Sequence, residues 1–493
     1  MSYDFSSQTL LIVGLAREGQ VAARWLARRG ARVIASDVRA PQNDVRETLE
    51  HLGVSLLIGP QTPALLADID AIVVSPGVPQ DIPLLQQARQ QQIPITAEPR
   101  LFAQGCPVPI TGITGSSGKT TTTTLVARML EAANIRTWLG GNIGAPLLEH
   151  LEAIAPQDRV VMELSSFQLL YWQPMAPWPQ APAPWNSAEA ISPHIAAILN
   201  ITPNHLDRHP SMAHYMAAKA NILAAQRADD LVILNRDDAI VGRWAATGRV
   251  EIPAGKGQAL RDFAIPAQCL TFGFDEPDHG DGTWLQAGQI HLRRGGRARP
   301  ILDVADIHLR GRHNLANVLA AVAIAAAAGV APAAMREAVR AFRGVEHRLE
   351  EVACIDNVFW INDSIATAPE RALAALRSFD APIILLAGGR DKHLPWKAWA
   401  EEVQQRARLV IAFGEAIPII QQALSEQRQD ALLQQVLTAD NLPAAVELAA
   451  QHARSGEIVL LSPGGTSYDA YPDFAARGEH FRELVLHLSQ EIR

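Results

Sequence analysis

The sequence predicts an α/β protein of three domains, each built on a mostly parallel sheet covered by helices. Its 493 residues, at about 150 residues per domain, correspond to about three domains. Short apolar runs that end in turn residues alternate with helix-like segments in three successive blocks, which is typical of strand-helix units. With 48% hydrophobic and 19% charged residues and no low-complexity tract, the chain is expected to fold throughout.

Each block contains its own set of apolar runs. The first, residues 1–105, contains TLLIVG, ARVIAS and AIVVSPG, with the helix-like EGQVAARWLARRG between the first two. The second, residues 106–345, contains VPITGITG, RVVMELSS, HIAAILNIT and LVILN. The third, residues 346–493, contains ACIDNVFWIND, PIILLAGG, RLVIAFG and EIVLLSPGG. We therefore expect domain boundaries near residues 105 and 345.

Charge and cysteine content narrow the function classes. The net charge of -8, with acids and bases mixed along the chain, disfavours a nucleic acid or an anionic membrane as a partner and favours small molecules. Cys106, Cys269 and Cys354 are odd in number and lack metal-binding spacing, which fits a reduced cytoplasm without disulfides or zinc. The N-terminus has no basic leader, so a secretory signal is not expected. The alanine-rich stretch from Asn314 is interpreted as a buried helix, with no membrane span expected.

The segment from Gln173 to Pro193 is too rich in proline for a helix or an inner strand. We expect a surface loop there. Such a loop could bind a partner or be a lineage-specific feature, and we favour the second interpretation.

The stretch ITGSSGKTTTT has the composition of a phosphate-binding loop but departs from its common template. G-x-x-x-x-G-K-[ST] requires a glycine where this chain has Ile113. A strand, a glycine-rich turn and a helix from Lys119 would nevertheless direct backbone N–H groups at an anion. Lys119 could then reach the outer phosphates, and the Thr120 hydroxyl could bind magnesium. A capped helix start is the alternative that these residues leave open.

Polar residues follow two later strands of the same block. Glu163 ends the strand in RVVMELSS, and His205, Asp207 and His209 share the loop NITPNHLDRH. Ligands of open α/β sheets lie at the carboxyl ends of strands, so Glu163 and Thr120 could form part of a magnesium shell. An ordinary exposed acid and a structural histidine are the alternatives, because magnesium prefers oxygen ligands.

The N-terminal GLAREG resembles a dinucleotide-binding turn only in part. Gly14 and Gly19 are present, but Ala16 replaces the second glycine, and Asp37 ends the next strand. The pattern alone allows an NAD-dependent oxidoreductase, although the missing glycine restricts close approach of a pyrophosphate.

Several fragments together resemble the Mur ligases, the ATP-dependent amide-bond-forming enzymes of peptidoglycan precursor synthesis. In family order over nearly the whole chain they are ITGSSGKTTTT, GGNIGAPL, ELSSFQL, NITPNHLDRH, YMAAKANI, GRHNLANVLAA, EHRLE, NDSIAT and AGGRDKHL. The family carries the shortened loop T-G-x-x-G-K-[ST]. GLAREG, SPGVP and GGRDK look most like the D-glutamate-adding members. The resemblance implies a Rossmann-like N-terminal domain, a central P-loop ATPase-like domain and a Rossmann-like C-terminal domain.

The implied reaction has three steps. ATP phosphorylates the carboxylate of UDP-N-acetylmuramoyl-L-alanine, D-glutamate attacks the acyl phosphate, and a tetrahedral intermediate collapses to the amide, ADP and phosphate. The protein would supply positioning and charge stabilisation. The first domain would bind the UDP substrate and the central domain ATP with Mg²⁺, while the C-terminal domain would bind the amino acid and close over ATP. A cytoplasmic monomer is expected.

The resemblance also assigns the nucleotide and metal residues. Catalytic roles fall to Lys119, His205 and Lys219. The ATP-binding positions are Gly115, Ser116, Ser117, Gly118, Lys119, Thr120, Thr121, His313, Asn314, Arg348 and Asp363. The metal positions are Thr120, Glu163, His205 and Lys219. Lys219 matches the lysine that the family carries as a carbamate, which would make it an anionic oxygen ligand; without the resemblance it would be interpreted as a helix-surface lysine.

The substrate positions follow in the same way. Those for the UDP substrate are Leu15, Ala16, Asp37, Arg39, Ser75, Pro76, Gly77 and Asn142. Those for the amino acid are Thr367, Lys392, Ser467 and Phe474. One departure concerns the family's usual NDSKAT, in which Ile365 here replaces a lysine that would bring positive charge to the glutamate and phosphate region. Ile365 keeps a non-catalytic nucleotide-binding regulator open as an alternative. A folylpolyglutamate-synthase-like ligase, with the same ATP chemistry on a different acceptor, is the other alternative.

Overall fold

The chain folds as two compact units, residues 1–342 and 343–493. The computed structural model describes residues 3–206, 208–256, 259–309, 311–391, 394–425 and 431–491. The first unit contains a five-stranded sheet, a nine-stranded sheet and a two-stranded hairpin, and the second unit contains a six-stranded sheet.

The five-stranded sheet of the first unit is entirely parallel, in the order β3-β2-β1-β4-β5. Its elements are β1 (Thr9–Val13), α1 (Arg17–Ala27), β2 (Arg32–Asp37), α2 (Asn43–His51), β3 (Ser55–Ile58), β4 (Ala71–Val74), α3 (Pro83–Gln90), β5 (Ile95–Thr96) and α4 (Glu98–Gly105). β4 is buried along its whole length, as expected of an apolar strand covered by helices on both faces. The three strands predicted in this block are confirmed.

The nine-stranded sheet has the order β16-β15-β14-β13-β10-β9-β6-β8-β7, and its only antiparallel pairings among the described strands are those of β15 with β14 and β16. Its strands are β6 (Ile110–Thr114), β7 (Thr137–Gly141), β8 (Arg159–Glu163), β9 (Ile195–Ile198), β10 (Leu231–Asn235), β13 (Gln268–Phe272), β14 (Asp281–Gln286), β15 (Gln289–Arg294) and β16 (Arg297–Asp303). The hairpin is β11 (Arg249–Ile252) with β12 (Arg261–Ala264). The helices are α5 (Lys119–Ala132), α6 (Ser166–Leu169), α7 (Met212–Ala220), α8 (Val241–Thr247), α9 (Arg312–Ala327) and α10 (Pro332–Ala341).

The alanine-rich stretch forms the buried helix that its composition predicts. Every residue of α9 from Asn317 to Ala325 is buried. Small alanine side chains let a helix pack closely against its neighbours on all sides. Among the described residues, no helix combines the length and apolarity needed to cross a membrane.

The proline-rich segment 173–193 is irregular, as predicted, but it is more than a surface loop. About half of its residues are exposed, whereas Trp178 and Trp185 are fully buried. Their indole N–H groups donate to Gln8 Oε1 at 2.9 Å and to the Leu101 carbonyl at 2.8 Å. Both rings also pack on Phe5, with centroids 6.0 and 5.5 Å away. The expectation of a simple surface loop is therefore wrong, because its tryptophans complete a core with residues of the first sheet and its helices.

A buried arginine holds the same segment from the other side. Arg100 of α4 is inaccessible to solvent and donates to the carbonyls of Tyr171, Gln173 and Glu189 at 2.8, 2.5 and 2.6 Å. Burial lowers the pKa of Arg100 to about 10. One continuous apolar core contains residues of both sheets. Residues 1–105 and the second block are consequently parts of one packed unit.

The second unit is a mostly parallel sheet in the order β17-β18-β22-β19-β20-β21. Its elements are β17 (Glu350–Ile355), β18 (Val358–Asn362), α11 (Pro369–Leu376), β19 (Ile383–Gly388), α12 (Lys397–Arg406), β20 (Ala407–Phe413), α13 (Ile417–Ala423), β21 (Gln435–Ala439), α14 (Leu442–His452), β22 (Ile458–Gly464) and α15 (Phe474–Glu491). The run ACIDNVFWIND forms the hairpin of β17 and β18, with Asp356 and Asn357 at φ of 49° and 61° in its turn. These residue types tolerate the left-handed conformation, so the turn divides the run.

Replacing Trp178 with alanine should destabilise the first unit. Removing a fully buried tryptophan leaves a cavity and costs about 3–5 kcal/mol in the free energy of unfolding. Gln180→Ala is the matched control, because this exposed side chain belongs to the same segment; it should change stability by less than about 0.5 kcal/mol. The measurement is the urea midpoint of unfolding of each variant, monitored by hydrogen exchange of the β6 and β9 amides. Equal midpoints for the two variants would show that the segment does not stabilise the sheets.

Candidate functional site

The loop between β6 and α5 has the geometry of a phosphate cradle. Gly118 adopts a left-handed φ of 78°, and a Cβ there would lie 2.2 Å from Asn317 Oδ1. Only glycine satisfies both requirements. α5 begins at the next residue and has no side-chain cap at its N-terminus. The capped helix start therefore lacks its capping side chain, and the first helical N–H groups are presented where an anion can bind.

Side chains and backbone groups hold this loop firmly. Ser116 Oγ lies 2.9 Å from the Tyr215 hydroxyl and donates to the Thr202 carbonyl at 2.9 Å. Lys119 Nζ donates to the carbonyls of Gly115 at 3.0 Å and Ser116 at 3.4 Å. The lysine therefore lies over the loop, with its ammonium group on two of the loop's carbonyl oxygens. Thr120 and Thr121 follow it in the first turn of α5.

Glu163 supplies a buried carboxylate beside the loop. It ends β8 and is paired in register with Ile113 of β6. Asn142 Nδ2 donates to Glu163 Oε1 at 2.7 Å, while Oε2 is buried without a hydrogen-bond partner among the described residues. A buried, unpartnered carboxylate oxygen is costly unless a cation or donor completes its surroundings. The donor set here, a carboxylate close to the threonine-rich start of α5, fits the oxygen preference of magnesium.

Lys219 of α7 is buried against the opposite side of the loop. It is 1% exposed, and its Nζ donates to the Gly115 carbonyl at 2.8 Å and to Thr114 Oγ1 at 3.4 Å. Burial above all, and the charge of Lys119, hold the pKa of Lys219 well below its ordinary value, against the opposing effect of Glu163. A lysine with a lowered pKa is more often neutral and nucleophilic. The interpretation as a helix-surface lysine is therefore wrong.

The histidines of the loop after β9 differ in their surroundings. His205 has a φ of 54°, and its ring lies 5.3 Å from that of Phe167. His209 is 1% exposed, with Nε2 3.0 Å from Ser166 Oγ and Nδ1 2.9 Å from His214 Nδ1. Burial, reinforced by neighbouring positive groups, lowers the pKa of His209 to about 4. His209 is thus a neutral, structural histidine that joins α6 to α7.

The described residues offer few protein ligands for a metal ion beside Glu163. Asp207, in the same loop, lies outside the described residues. The part of the chain that the structure describes contains no group of three His, Cys, Asp or Glu side chains arranged to bind a metal. A cation beside Glu163 would therefore also need oxygen from hydroxyls, phosphates, water or a modified side chain.

The candidate residues for the UDP substrate gather at the carboxyl ends of β1, β2 and β4. The Asp37 carboxylate accepts the N–H groups of Leu15 at 2.6 Å and Arg39 at 2.9 Å, and Ala16 precedes α1. Ser75 Oγ donates to the Gly14 carbonyl at 2.8 Å, and Pro76 and Gly77 continue this turn.

This groove is tied to the phosphate-loop side of the same unit. Arg208 Nη2 donates to the Gly77 carbonyl at 2.9 Å, and Arg17 Nη1 donates to the Gly144 carbonyl at 2.7 Å. The loop that carries His205 and the loop that carries Asn142 are both bonded to the groove in this way. The two candidate sites of the first unit are therefore neighbours.

The second unit brings its own candidate residues together. Asp363 is buried after β18, where it accepts from Ser462 Oγ at 2.9 Å and from the Leu349 N–H at 3.2 Å. Burial raises its pKa to about 7, although Arg348 opposes the change. Ser364 Oγ donates to the Phe474 carbonyl at 2.8 Å, which places the start of α15 beside the NDSIAT segment.

The remaining positions of that segment are half-buried or buried. Thr367 donates its N–H to the Ile365 carbonyl at 2.8 Å, and the Ile365 N–H donates to the His347 carbonyl at 3.1 Å.

The other candidate residues lie elsewhere in the chain. Ser467 is buried after β22. Lys392, predicted to bind the amino acid, lies outside the described residues. His313 and Asn314 lie in the first turn of α9, in the first unit.

Comparison with known proteins decides the family. Three family models match successive parts of the chain: the Mur ligase MurD-like N-terminal domain over residues 8–97, the Mur ligase middle domain over 113–325 and the Mur ligase glutamate ligase domain over 347–465. The chain belongs to the Mur ligase family. The predicted family and the α/β fold class are thereby confirmed.

Two full-length relatives of this Mur ligase carry the same name. The UDP-N-acetylmuramoylalanine–D-glutamate ligase of Symbiobacterium thermophilum is 39% identical over 97% of this chain and 98% of its own. The ligase of the same name from Koribacter versatilis is 37% identical over 99% of both chains. Among solved structures, the UDP-N-acetylmuramate–alanine ligase of Thermotoga maritima has a TM-score of 0.52 at 19% identity over 98% of this chain and 100% of its own. MurF from Acinetobacter baumannii has 0.52 at 16% over 97% and 93%. These two show the fold alone.

Sequence reasoning missed several residues of this Mur ligase that the fold brings beside the candidate residues of their own unit. Asn317 packs against Gly118, and Arg477, which is fully buried, donates to the carbonyl of Ser364 at 2.8 Å. Tyr215 lies in the quoted YMAAKANI, but only its contact with Ser116 shows its place at the loop. The only sequence signal for Tyr215 is its polar hydroxyl within an otherwise apolar helical pattern. That signal does not show that the hydroxyl contacts Ser116.

Two glutamates of the first unit, buried Glu98 and half-buried Glu18, lie close enough to interact electrostatically. Glu18 Oε1 accepts from Gln168 Nε2 at 2.6 Å, and Glu98 Oε1 accepts from the Leu148 N–H at 2.9 Å. Burial raises the pKa of Glu18 to about 7, and burial with the charge of Glu18 raises that of Glu98 to about 8. The pair belongs to α1 and α4, whereas its hydrogen-bond donors belong to the second block.

Glu98 and Glu18 should make the stability of the first unit depend on pH. Between about pH 4.5 and about pH 8, folded Glu98 keeps a proton that the unfolded chain releases, so the free energy of unfolding should fall as pH rises through this window. Glu98→Gln removes this titration and should flatten the dependence. Exposed Glu47→Gln is the control and should keep it. Urea unfolding at a series of pH values measures the three proteins, and an unchanged slope for Glu98→Gln would contradict the assignment.

Proposed function

We propose that this Mur ligase joins D-glutamate to UDP-N-acetylmuramoyl-L-alanine through an acyl phosphate, with release of ADP and phosphate, in peptidoglycan precursor synthesis. The observation that carries the proposal is the arrangement at the ends of β6 and β8, where a glycine cradle, a buried lysine and an unpartnered carboxylate oxygen meet. The names of the full-length relatives supply the choice of substrates.

The phosphate loop is assigned to ATP. The segment from Gly115 to Thr121 would enclose the phosphates. The backbone N–H groups from Gly118 onward and the Lys119 ammonium would hold them and stabilise charge on the transferred phosphoryl group. A magnesium ion would neutralise phosphate charge when bound, and we assign Thr120, Glu163, His205 and Lys219 to hold it. His313, Asn314, Arg348 and Asp363 are assigned to the rest of the nucleotide. Lys119, His205 and Lys219 are the proposed catalytic residues.

A carbamate on Lys219 is part of the proposal. Carbon dioxide reacts with a neutral amine, and the lowered pKa of the buried Lys219 supports that form. The reaction forms an N–C bond and releases one proton, which converts a potential cation into an anionic oxygen ligand. This supplies oxygen where Glu163 alone would leave a cation short of protein ligands.

The substrate residues stay as proposed from the resemblance. The groove of Leu15, Ala16, Asp37, Arg39 and the turn Ser75 to Gly77 is assigned to the UDP part of the precursor, with Asn142 towards the reacting end. Thr367, Lys392, Ser467 and Phe474 are assigned to D-glutamate. The domain limits 1–105, 106–345 and 346–493, the monomeric state and the cytoplasmic location remain predictions from the sequence.

A coupled ADP-release assay tests the function. UDP-N-acetylmuramoyl-L-alanine with D-glutamate should give turnover, whereas L-glutamate or a folate acceptor should not. Lys119→Ala should lower turnover by at least about 10²-fold, because it removes a charge that stabilises the transferring phosphoryl group. The same variant should bind the UDP precursor as the parent does. Turnover with a folate alone would favour the folylpolyglutamate-synthase-like alternative, and ADP release with none of these acceptors would contradict the proposal.

A further inference from the structure

The side chain of Asn200 grips the backbone of the phosphate loop. It follows β9, and its Oδ1 accepts the Ser117 N–H at 2.9 Å while its Nδ2 donates to the Ser117 carbonyl at 3.2 Å. The Asn200 carbonyl also accepts the Ser116 N–H at 3.0 Å. Only this orientation of the carboxamide satisfies both backbone groups of Ser117. The side chain thus acts on the loop as a neighbouring strand would.

This contact determines how the next peptide group points. In a planar trans peptide the carbonyl and the following N–H point in opposite directions. Because the Ser117 carbonyl is directed at Asn200, the Gly118 N–H is directed away from it. The Gly118 N–H comes immediately before α5, whose N-terminal end favours an anion.

The peptide needs an anchor because of the glycine that follows it. Gly118 has a φ of 78°, and glycine accepts positive and negative φ with similar ease. A rotation of the Ser117–Gly118 peptide is therefore opposed by little within the loop itself. Such a rotation would direct a carbonyl oxygen, in place of an N–H, at the bound phosphates.

We propose that Asn200 is a positioning residue for ATP, which holds the Ser117–Gly118 peptide with its N–H towards the phosphates. The inference rests on the proposed function, because that function assigns the loop to ATP. Asn200 acts through the loop backbone and not by contact with the reacting atoms. Its loss should weaken the productive binding of ATP more than that of either other substrate.

Asn200→Ala removes both contacts and should raise the KM for ATP about tenfold, as two hydrogen bonds of ordinary strength would do. The KM values for the UDP precursor and D-glutamate should stay within about twofold. Asn200→Asp keeps the acceptor for the Ser117 N–H but cannot donate to the carbonyl, and it adds charge near the phosphates. Its KM for ATP should therefore be higher still.

Asn235→Ala is the matched control. Asn235 Nδ2 donates to the Leu199 carbonyl at 2.8 Å, so this variant loosens the same end of β9 without removing a contact to the phosphate loop. Its KM for ATP should stay within about twofold of the parent value. Thermal unfolding of each variant shows whether it is folded, and calorimetric binding of ADP gives a second readout that needs no turnover.

The outcomes separate the two proposals. An unchanged KM for ATP and unchanged ADP binding in Asn200→Ala would overturn the positioning role. An equal rise in Asn235→Ala, or an equal rise in the KM for all three substrates, would overturn it too, because general loosening would then explain the effect. If the parent protein binds ADP but releases none from ATP with its proposed substrates, the proposed function fails, and the ADP affinities of the variants still test Asn200.

Discussion

The burial of the Lys219 amine against the phosphate loop is the constraint on which the rest of the site depends. A buried ammonium group is costly, and its carbonyl and hydroxyl partners at 2.8 and 3.4 Å offset only part of that cost. Burial therefore favours the neutral amine and holds the pKa of Lys219 well below its ordinary value. Glu163 is the acidic residue of this site. One of its carboxylate oxygens accepts from Asn142, and the other has no hydrogen-bond partner among the described residues. Its charge and that of Lys119 act on Lys219 with opposite sign.

Side-chain contacts around this site hold α7 in a fixed position against the phosphate loop. Tyr215 contacts Ser116 through its hydroxyl, and its ring centroid lies 4.8 Å from Lys219 Nζ. His209, neutral because it is buried, connects α7 to α6 through His214 and Ser166. Further out, the tryptophans of segment 173–193 and the buried Arg100 join the first sheet to the second. The proposed acyl-phosphate reaction requires the phosphoryl group and the acceptor carboxylate to meet at close range. Both candidate sites belong to the same packed unit.

Local patterns were sufficient for much of the fold. The buried parallel strands, the phosphate loop and the start of α5 at Lys119 each have a signal within a few residues of sequence. The hairpin of β17 and β18 was predicted as one run, because Asp356 and Asn357 interrupt an otherwise apolar pattern only briefly. The buried tryptophans of the proline-rich segment were missed because their partners, Gln8 and Leu101, are far away in the chain.

The site shows the same division. Residue types identified Lys119, Thr120 and Glu163 as candidates, whereas the contact of Asn200 with Ser117 joins positions 83 residues apart and that of Gln168 with Glu18 joins positions 150 apart. Neither has a local signal. The burial of Lys219 likewise depends on the packing of α7 on β6, so that residue was recognised through family resemblance and not through its neighbours in sequence.

A crystal structure with ADP and Mg²⁺ tests the central claim most directly. The account predicts the β-phosphate against the N–H groups of Gly118 to Thr120, the metal beside Thr120 and Glu163, and extra density for a carbamate on Lys219. Diphosphate bound away from the loop, with Glu163 Oε2 far from any cation, would contradict it.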